Sequence, residues 1–241
     1  MSNIFILASG VFKELVRRKD LYLIFALLVI ILLYAASLSF GGEANFQRYF
    51  KEIGISLTYI FSVIIAITFA SRQIPQETET KSVYHILSRP VSRLEFIVGK
   101  FLGVFSVSIA SLAIFYAAYI AALFLRNDLS TPPALLIEGF ILHACLLSFF
   151  AALAILFSLF LSAASNAVIS LIIYFGTSWF GATFPAYIYL PHPELLDIRD
   201  KIVHSWDPVP AWALSFLVLY AIVYTALFLS AAYAIFRKRD L

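Results

Sequence analysis

RQIPQETETKSVYHILSRPVSRLEFIVGK, residues 72–100, is a polar stretch between two runs long and apolar enough to cross a bilayer. It carries five basic side chains (Arg72, Lys81, Arg89, Arg93, Lys100) and three acidic ones (Glu77, Glu79, Glu95), so it is expected to lie in water. Its local chemistry predicts two helices with a corner between them. Pro75 suits a first helical turn, where the amide it lacks has no partner, and Glu77 and Glu79 follow where the helix dipole favours negative charge. Val83, Ile86 and Leu87 recur at helical spacing, and Pro90 disfavours helical geometry at Arg89. Ser92 and Glu95 then have the spacing of a capping box, so a second helix starts at Arg93. Without a breaker before Asn127 it runs for roughly 33 residues, about 50 Å at about 1.5 Å per residue. A bilayer core is about 30 Å thick, so its first turns should project into water and join the short helix mechanically to the membrane.

The stretch resembles the loop between the second and third spans of type-two ABC transporter permeases. Their recurring pattern is roughly Glu-x-Glu-x-Gly-Thr, then Leu-Leu-Ser-x-Pro-Val-Ser-Arg, then Gly-Lys. Glu77 and Glu79 match the acids; Leu87, Ser88, Pro90, Val91, Ser92 and Arg93 match the middle; Gly99 and Lys100 match the end. Lys81 and Ser82 stand where Gly-Thr is usual. The resemblance implies a coupling helix that docks on a separate ATPase subunit, with ATP bound by that partner and no cofactor on this chain. It assigns Glu77, Glu79 and Ser82 as polar docking contacts, Val83, Ile86 and Leu87 as the apolar docking face, and Arg93 as the anchor of the corner. It also implies a dimer with a second copy or a paralogue, and allows an extracytoplasmic accessory protein.

The 241 residues are 62% hydrophobic and 13% charged, and mean hydropathy is +0.94. Soluble domains carry about 25% charged residues, so the composition is that of an integral membrane protein. The net charge of +3 is explained by topology rather than by nucleic acid. One cysteine, Cys145, excludes an intrachain disulfide.

Residues 1–19 place Ile4, Ala8, Val11, Phe12, Leu15 and Val16 at helical spacing opposite Lys13, Glu14, Arg17 and Arg18. This predicts an interfacial elbow helix, with Lys13, Arg17 and Arg18 on anionic lipid. The next apolar run, Leu21 to Phe40, is too long for a cleavable signal core. Five more spans are expected: Ile53 to Ser71, Phe96 to Leu125, Ala134 to Leu161, Ala167 to Phe184 and Ala211 to Phe236. Thr131 is expected to cap the fourth, and Ser162 to Asn166 to form the hairpin before the fifth. Six spans put twelve Lys and Arg on the side of the termini and five on the other, so both termini are expected in the cytoplasm, with the chain in the inner membrane. The fold class is all-α: one transmembrane domain over 1–241 with an elbow at 1–19, a coupling segment at 72–95 and an outer loop at 185–210. Within that loop Glu194 to Val203 predicts a short amphipathic helix, as a re-entrant or capping element.

The spans hold almost no Asp, Glu, Lys or Arg, the usual carriers of ion coupling, and Glu138 is expected to snorkel to the outer interface. No Gly-x-x-x-x-Gly-Lys-Ser/Thr loop occurs, so active transport needs a separate ATPase. His143 and Cys145 are two apart and point to different helix faces, which argues against a nucleophile and base pair. His192, Glu194, Asp197, His204 and Asp207 match no recognised metal-site spacing. Gly99 and Gly103 permit close helix approach. Tyr174, Phe175, Trp179 and Phe180 form an aromatic outer half of span five, read as a belt or as the lining of a translocation path. The expected function is the permease subunit of an ABC exporter. The rival expectations are a non-transporting membrane scaffold for a cytoplasmic partner and a membrane-embedded enzyme.

Overall fold

The computed structural model describes residues 3–37, 43–79, 92–126, 130–180 and 191–238. Among them the regular elements are helical: α1 (Asn3–Val16), α2 (Lys19–Ser37), α3 (Glu43–Glu79), α4 (Arg93–Leu125), α5 (Pro133–Phe157), α6 (Ala163–Phe180), a three-ten turn (Pro193–Leu196), α7 (Arg199–His204) and α8 (Ala211–Arg237). Four contain stretches long and apolar enough to cross a membrane: Gln47–Gln76, Arg93–Leu125, Pro133–Phe157 and Ala211–Arg237. The expected first and fifth spans fall on α2 and α6, and the last residues expected in each lie outside the described set.

Helices α3, α4 and α5 form the centre. Toward the α7 end, Phe50, Tyr59, Tyr116, Leu142, Phe150, Leu196 and Ile202 belong to one buried cluster. Toward the α1 end, Val11, Leu15, Phe69, Ile74, Phe96, Val104, Ile155 and Phe236 belong to another. Helix α8 lies outermost: 11% of its most apolar stretch is buried, against 61% for α3 and for α5. Trp212, Phe216, Leu219, Val223 and Leu227 stand exposed along one of its faces, an arrangement suited to lipid or to another apolar surface.

Helix α1 is seated on α4 by the two expected glycines. A Cβ on Gly99 would lie 2.8 Å from Leu7 Cβ, and one on Gly103 would lie 2.5 Å from Val11 Cβ. The capping box is formed: Ser92 Oγ accepts from Glu95 N at 3.2 Å, and the Glu95 carboxylate accepts from Ser92 N at 2.7 Å. Helix α4 starts at Arg93 and runs for 33 residues, as its spacing predicts.

Several boundaries differ. Pro75 does not open a new helix; it lies inside α3, which runs unbroken from Glu43 to Glu79. Gln73 and Ile74, expected in water, are 4% and 1% exposed, because the end of α3 packs into the cluster around α1 and α4. Burial on that side holds the helix past a proline that propensity alone reads as a boundary. Thr131 does not cap α5: the cap position is Pro132, and the Thr131 hydroxyl is buried without a hydrogen-bond partner. Asn166 belongs to α6, not to the hairpin; its Nδ2 donates to the Ala154 carbonyl of α5 at 2.7 Å, so the hairpin closes earlier in the chain.

Candidate functional site

The α1 end of the molecule is fastened by four polar links. Arg93 Nη1 donates to the carbonyls of Phe236 and Arg237 at 3.0 and 2.6 Å, so it occupies the carbonyl end of α8, where a cation is favoured. Phe96 stacks on Phe236 beneath it, with ring centroids 5.5 Å apart. Asn3 Nδ2 donates to Glu95 at 3.3 Å, tying the start of α1 to the start of α4. Arg18 pairs with Glu14 at 3.1 Å and donates to Gln76 at 2.6 Å, while Arg72 pairs with Asp20 at 3.2 Å. Of the elbow cations, Lys13 and Arg17 are exposed. Glu77 and Glu79 occupy the last turn of α3; their side chains, and Ser82, Val83, Ile86 and Leu87, lie outside the described residues.

A second polar assembly lies at the other end, among α3, α4 and α5. Tyr59, Ser62 and His143 are each 0% exposed, and Tyr116 is 4%. The Tyr59 hydroxyl donates to the Gly139 carbonyl at 3.1 Å and meets the Tyr116 hydroxyl at 3.2 Å. His143 Nε2 lies 2.7 Å from Ser62 Oγ, and the imidazole stacks on the Tyr59 ring at 3.7 Å between centroids. His143 Nδ1 is buried without a hydrogen-bond partner. Gly139 makes room for the assembly: a Cβ there would lie 2.6 Å from Ile202 Cδ1 and 2.8 Å from the Tyr116 hydroxyl.

Ile202 belongs to α7, and with the three-ten turn that helix covers the cluster. The expected single helix over Glu194 to Val203 is split at Asp197 and Ile198: Asp197 ends the three-ten turn in an extended conformation, and its carboxylate holds Arg199 at the start of the next helix. It accepts from Arg199 N at 3.1 Å and from Arg199 Nε at 2.9 and 2.7 Å, and pairs with Nη2 at 2.5 Å. Burial works against the Arg199 charge, but the hydrogen bonds and attraction of Asp197 outweigh it and hold the guanidinium above its ordinary value. Arg199 Cζ also sits 5.9 Å from the Tyr59 ring centroid. Leu196 and Ile202 are 0% exposed, so this segment is a packed lid. Glu138, half-buried, accepts from the Val209 amide at 2.9 Å and fastens the lid's far end. His192 N donates to the Tyr220 hydroxyl at 2.6 Å and fastens the near end.

Above the lid opens a cleft of about 370 Å³, lined by Glu52 and Ser56 of α3 and by Glu194, Asp197, Arg199 and Asp200. Glu194 pairs with His192 Nδ1 at 3.2 Å through one oxygen; the other is buried without a partner. No group of three potential metal ligands occurs among the described residues, so His192, Glu194, Asp197, His204 and Asp207 do not converge. His143 and Cys145 do not converge either: His143 faces Ser62 and Tyr59, and Cys145 is half-buried. On α6, Tyr174 is buried against Phe150 with ring centroids 5.4 Å apart, and Phe175 is exposed. Trp179 and Phe180 lie in the last turn of α6, where side chains are outside the described set.

Apart from His143, the buried assembly escaped sequence reading because its members are neutral, and a search for intramembrane charge passes over them. The available signal was spacing: Tyr59 with Ser62, and Gly139 with His143, share helix faces at i, i+3 and i, i+4.

No curated protein matches the chain. The family model that does match covers residues 16–241 and is not that of the type-two ABC permeases, which corrects the resemblance drawn from residues 72–100. That resemblance rests on about thirty residues of proline, capping-box and glycine chemistry, which any polar connection between two long helices can use. The chain belongs to the family described as "Protein of unknown function (DUF2705)".

Proposed function

We propose that this protein is the membrane subunit of a transporter, acting as an exporter, whose energy comes from a separate cytoplasmic ATPase. The observation that carries the reading is the fastening of the α1 end, where α3 ends at Glu79 and α4 begins at Arg93. Helices α3 and α4 are 37 and 33 residues long and packed together, so a displacement applied to the end of α3 or the start of α4 would pass along them through the bundle. Arg93 on α8, Asn3 on Glu95 and Arg18 on Gln76 tie α1, α3, α4 and α8 together at that end. In this reading the connection between α3 and α4 lies in the cytoplasm with both termini, α2 and α6 complete a set of six spans in the inner membrane, and Lys13, Arg17 and Arg18 rest on anionic lipid. Glu77, Glu79, Ser82, Val83, Ile86 and Leu87 meet the ATPase. The exposed apolar face of α6, with Val168, Ile172 and Phe175, meets a second copy or a paralogue and borders the translocation path.

The test is a mild-detergent pull-down of the tagged chain from its native membranes, with Glu77→Lys/Glu79→Lys as control. Recovery of an ATPase that is lost in the control supports the reading. A folded chain that brings down no ATPase counts against it. Recovery of a partner whose ATP turnover ignores candidate substrates points to the scaffold instead.

A further inference from the structure

We propose that the cleft and the Tyr59–His143 pair beneath it form a binding site for a ligand bearing an amine or guanidinium group, with Arg199 seated there as an internal stand-in. Ser62 has one hydroxyl proton and two neighbours, the Tyr59 carbonyl at 2.9 Å and His143 Nε2 at 2.7 Å. A carbonyl only accepts, so both bonds form when Ser62 donates to Tyr59 and His143 donates from Nε2. His143 Nδ1 is then a bare lone pair, wholly buried and without a partner. An unmet acceptor at that depth calls for an N–H or O–H donor.

Two further features narrow the donor to a cation. The Tyr59 ring, stacked on His143, already carries a guanidinium 5.9 Å from its centroid, a geometry in which the ring quadrupole attracts positive charge. The cleft through which a ligand would arrive sets Glu52, Glu194, Asp197 and Asp200 against Arg199 alone, and one Glu194 oxygen is buried and unmet. An anion would be repelled there, and a neutral alcohol, though it could donate a hydrogen bond, would gain no charge attraction from the ring or the carboxylates. A ligand guanidinium or ammonium could take the Asp197 fork as Arg199 swings aside. The site stands whether or not an ATPase drives the protein.

The test uses thiol accessibility in native membranes, in a Cys145→Ser background. Ser62→Cys reports entry to the His143 side; Leu147→Cys, wholly buried on α5, reports general loosening. The probes are trimethylammonioethyl and sulfonatoethyl methanethiosulfonate, with rates normalised to a free thiol, and agmatine as competitor. The expected result is that the cationic reagent modifies Ser62→Cys at least about tenfold faster than the anionic one. Agmatine should slow it, Arg199→Gln should speed it, and Glu194→Gln/Asp200→Asn should bring the two reagents toward parity. Equal rates for the two reagents, no modification even with Arg199→Gln, or equal modification of Leu147→Cys would overturn the proposal.

Discussion

Tyr59 of α3 and His143 of α5 stack with ring centroids 3.7 Å apart and planes 25° from parallel. Each ring presents a polar atom to a different neighbour, Tyr59 to Gly139 and His143 to Ser62, so one contact fastens two helices by stacking and by two hydrogen bonds. In a bundle whose other buried contacts are mainly apolar, this pair sets the register of α3 against α5. The lid then rests on that register through Arg199 and Ile202.

The first prediction is coupling across this pair. Ser62→Ala removes two hydrogen bonds, to His143 Nε2 and to the Tyr59 carbonyl, and should cost about 1–2 kcal/mol. His143→Ala removes the bond to Ser62, the stack and buried volume and should cost about 2–4 kcal/mol. The double variant should cost clearly less than the sum, because both single changes break the same bond. Reversible unfolding in detergent measures this, and strict additivity would mean that the bond contributes nothing.

A size exchange between Gly139 and Ile202 tests the lid. Gly139→Ala puts a Cβ 2.6 Å from Ile202 Cδ1 and 2.8 Å from the Tyr116 hydroxyl, so overpacking should cost about 1–3 kcal/mol and lift α7. Adding Ile202→Ala should recover part of that loss. Hydrogen exchange at 199–204 should rise in the single variant and fall back in the double. No change in the single variant would place the lid off the Gly139 notch.

The seat of α1 gives the third prediction. Gly103→Leu cannot be accommodated with Val11 Cβ already 2.5 Å from a Cβ position, so α1 should leave α4. Proteolysis within residues 3–16 should accelerate by an order of magnitude, while the core around Tyr116 and Phe150 stays protected. Protection of α1 equal to that of the unaltered chain would contradict the close packing.

These elements differ in how far sequence reveals them. Ser92, Glu95 and the Gly99/Gly103 pair act through neighbours a few residues away or through one missing side chain, and such local chemistry is visible in spacing. Pro75 misleads because its helix is held by burial of Gln73 and Ile74 against distant residues, which no local pattern records. Asn166 and Glu138 likewise take their roles from a carbonyl on α5 and an amide at Val209. Four of the six expected spans are helices long and apolar enough to cross a membrane among the described residues, which stop short of the expected ends of the other two. The polar cluster is hidden for a related reason: tyrosine, serine and histidine are unremarkable in an apolar helix until three helices bring them together.

The last prediction concerns Arg93, whose guanidinium closes the end of α8 through two carbonyls while lying 5.9 Å from the Phe236 ring centroid. Carbonyls in the final helical turn have no intrahelical partner, so this side chain does for α8 what a capping residue would do. Arg93→Gln loses the charge and should cost about 1 kcal/mol, with faster amide exchange confined to the last turn of α8. Arg93→Lys keeps the charge but not the fork, and should recover part of the loss. If the fastened end transmits force, Arg93→Gln should also weaken the response of partner ATP turnover to candidate substrates while leaving partner recovery in the pull-down intact. Loss of recovery itself would instead place Arg93 in the contact.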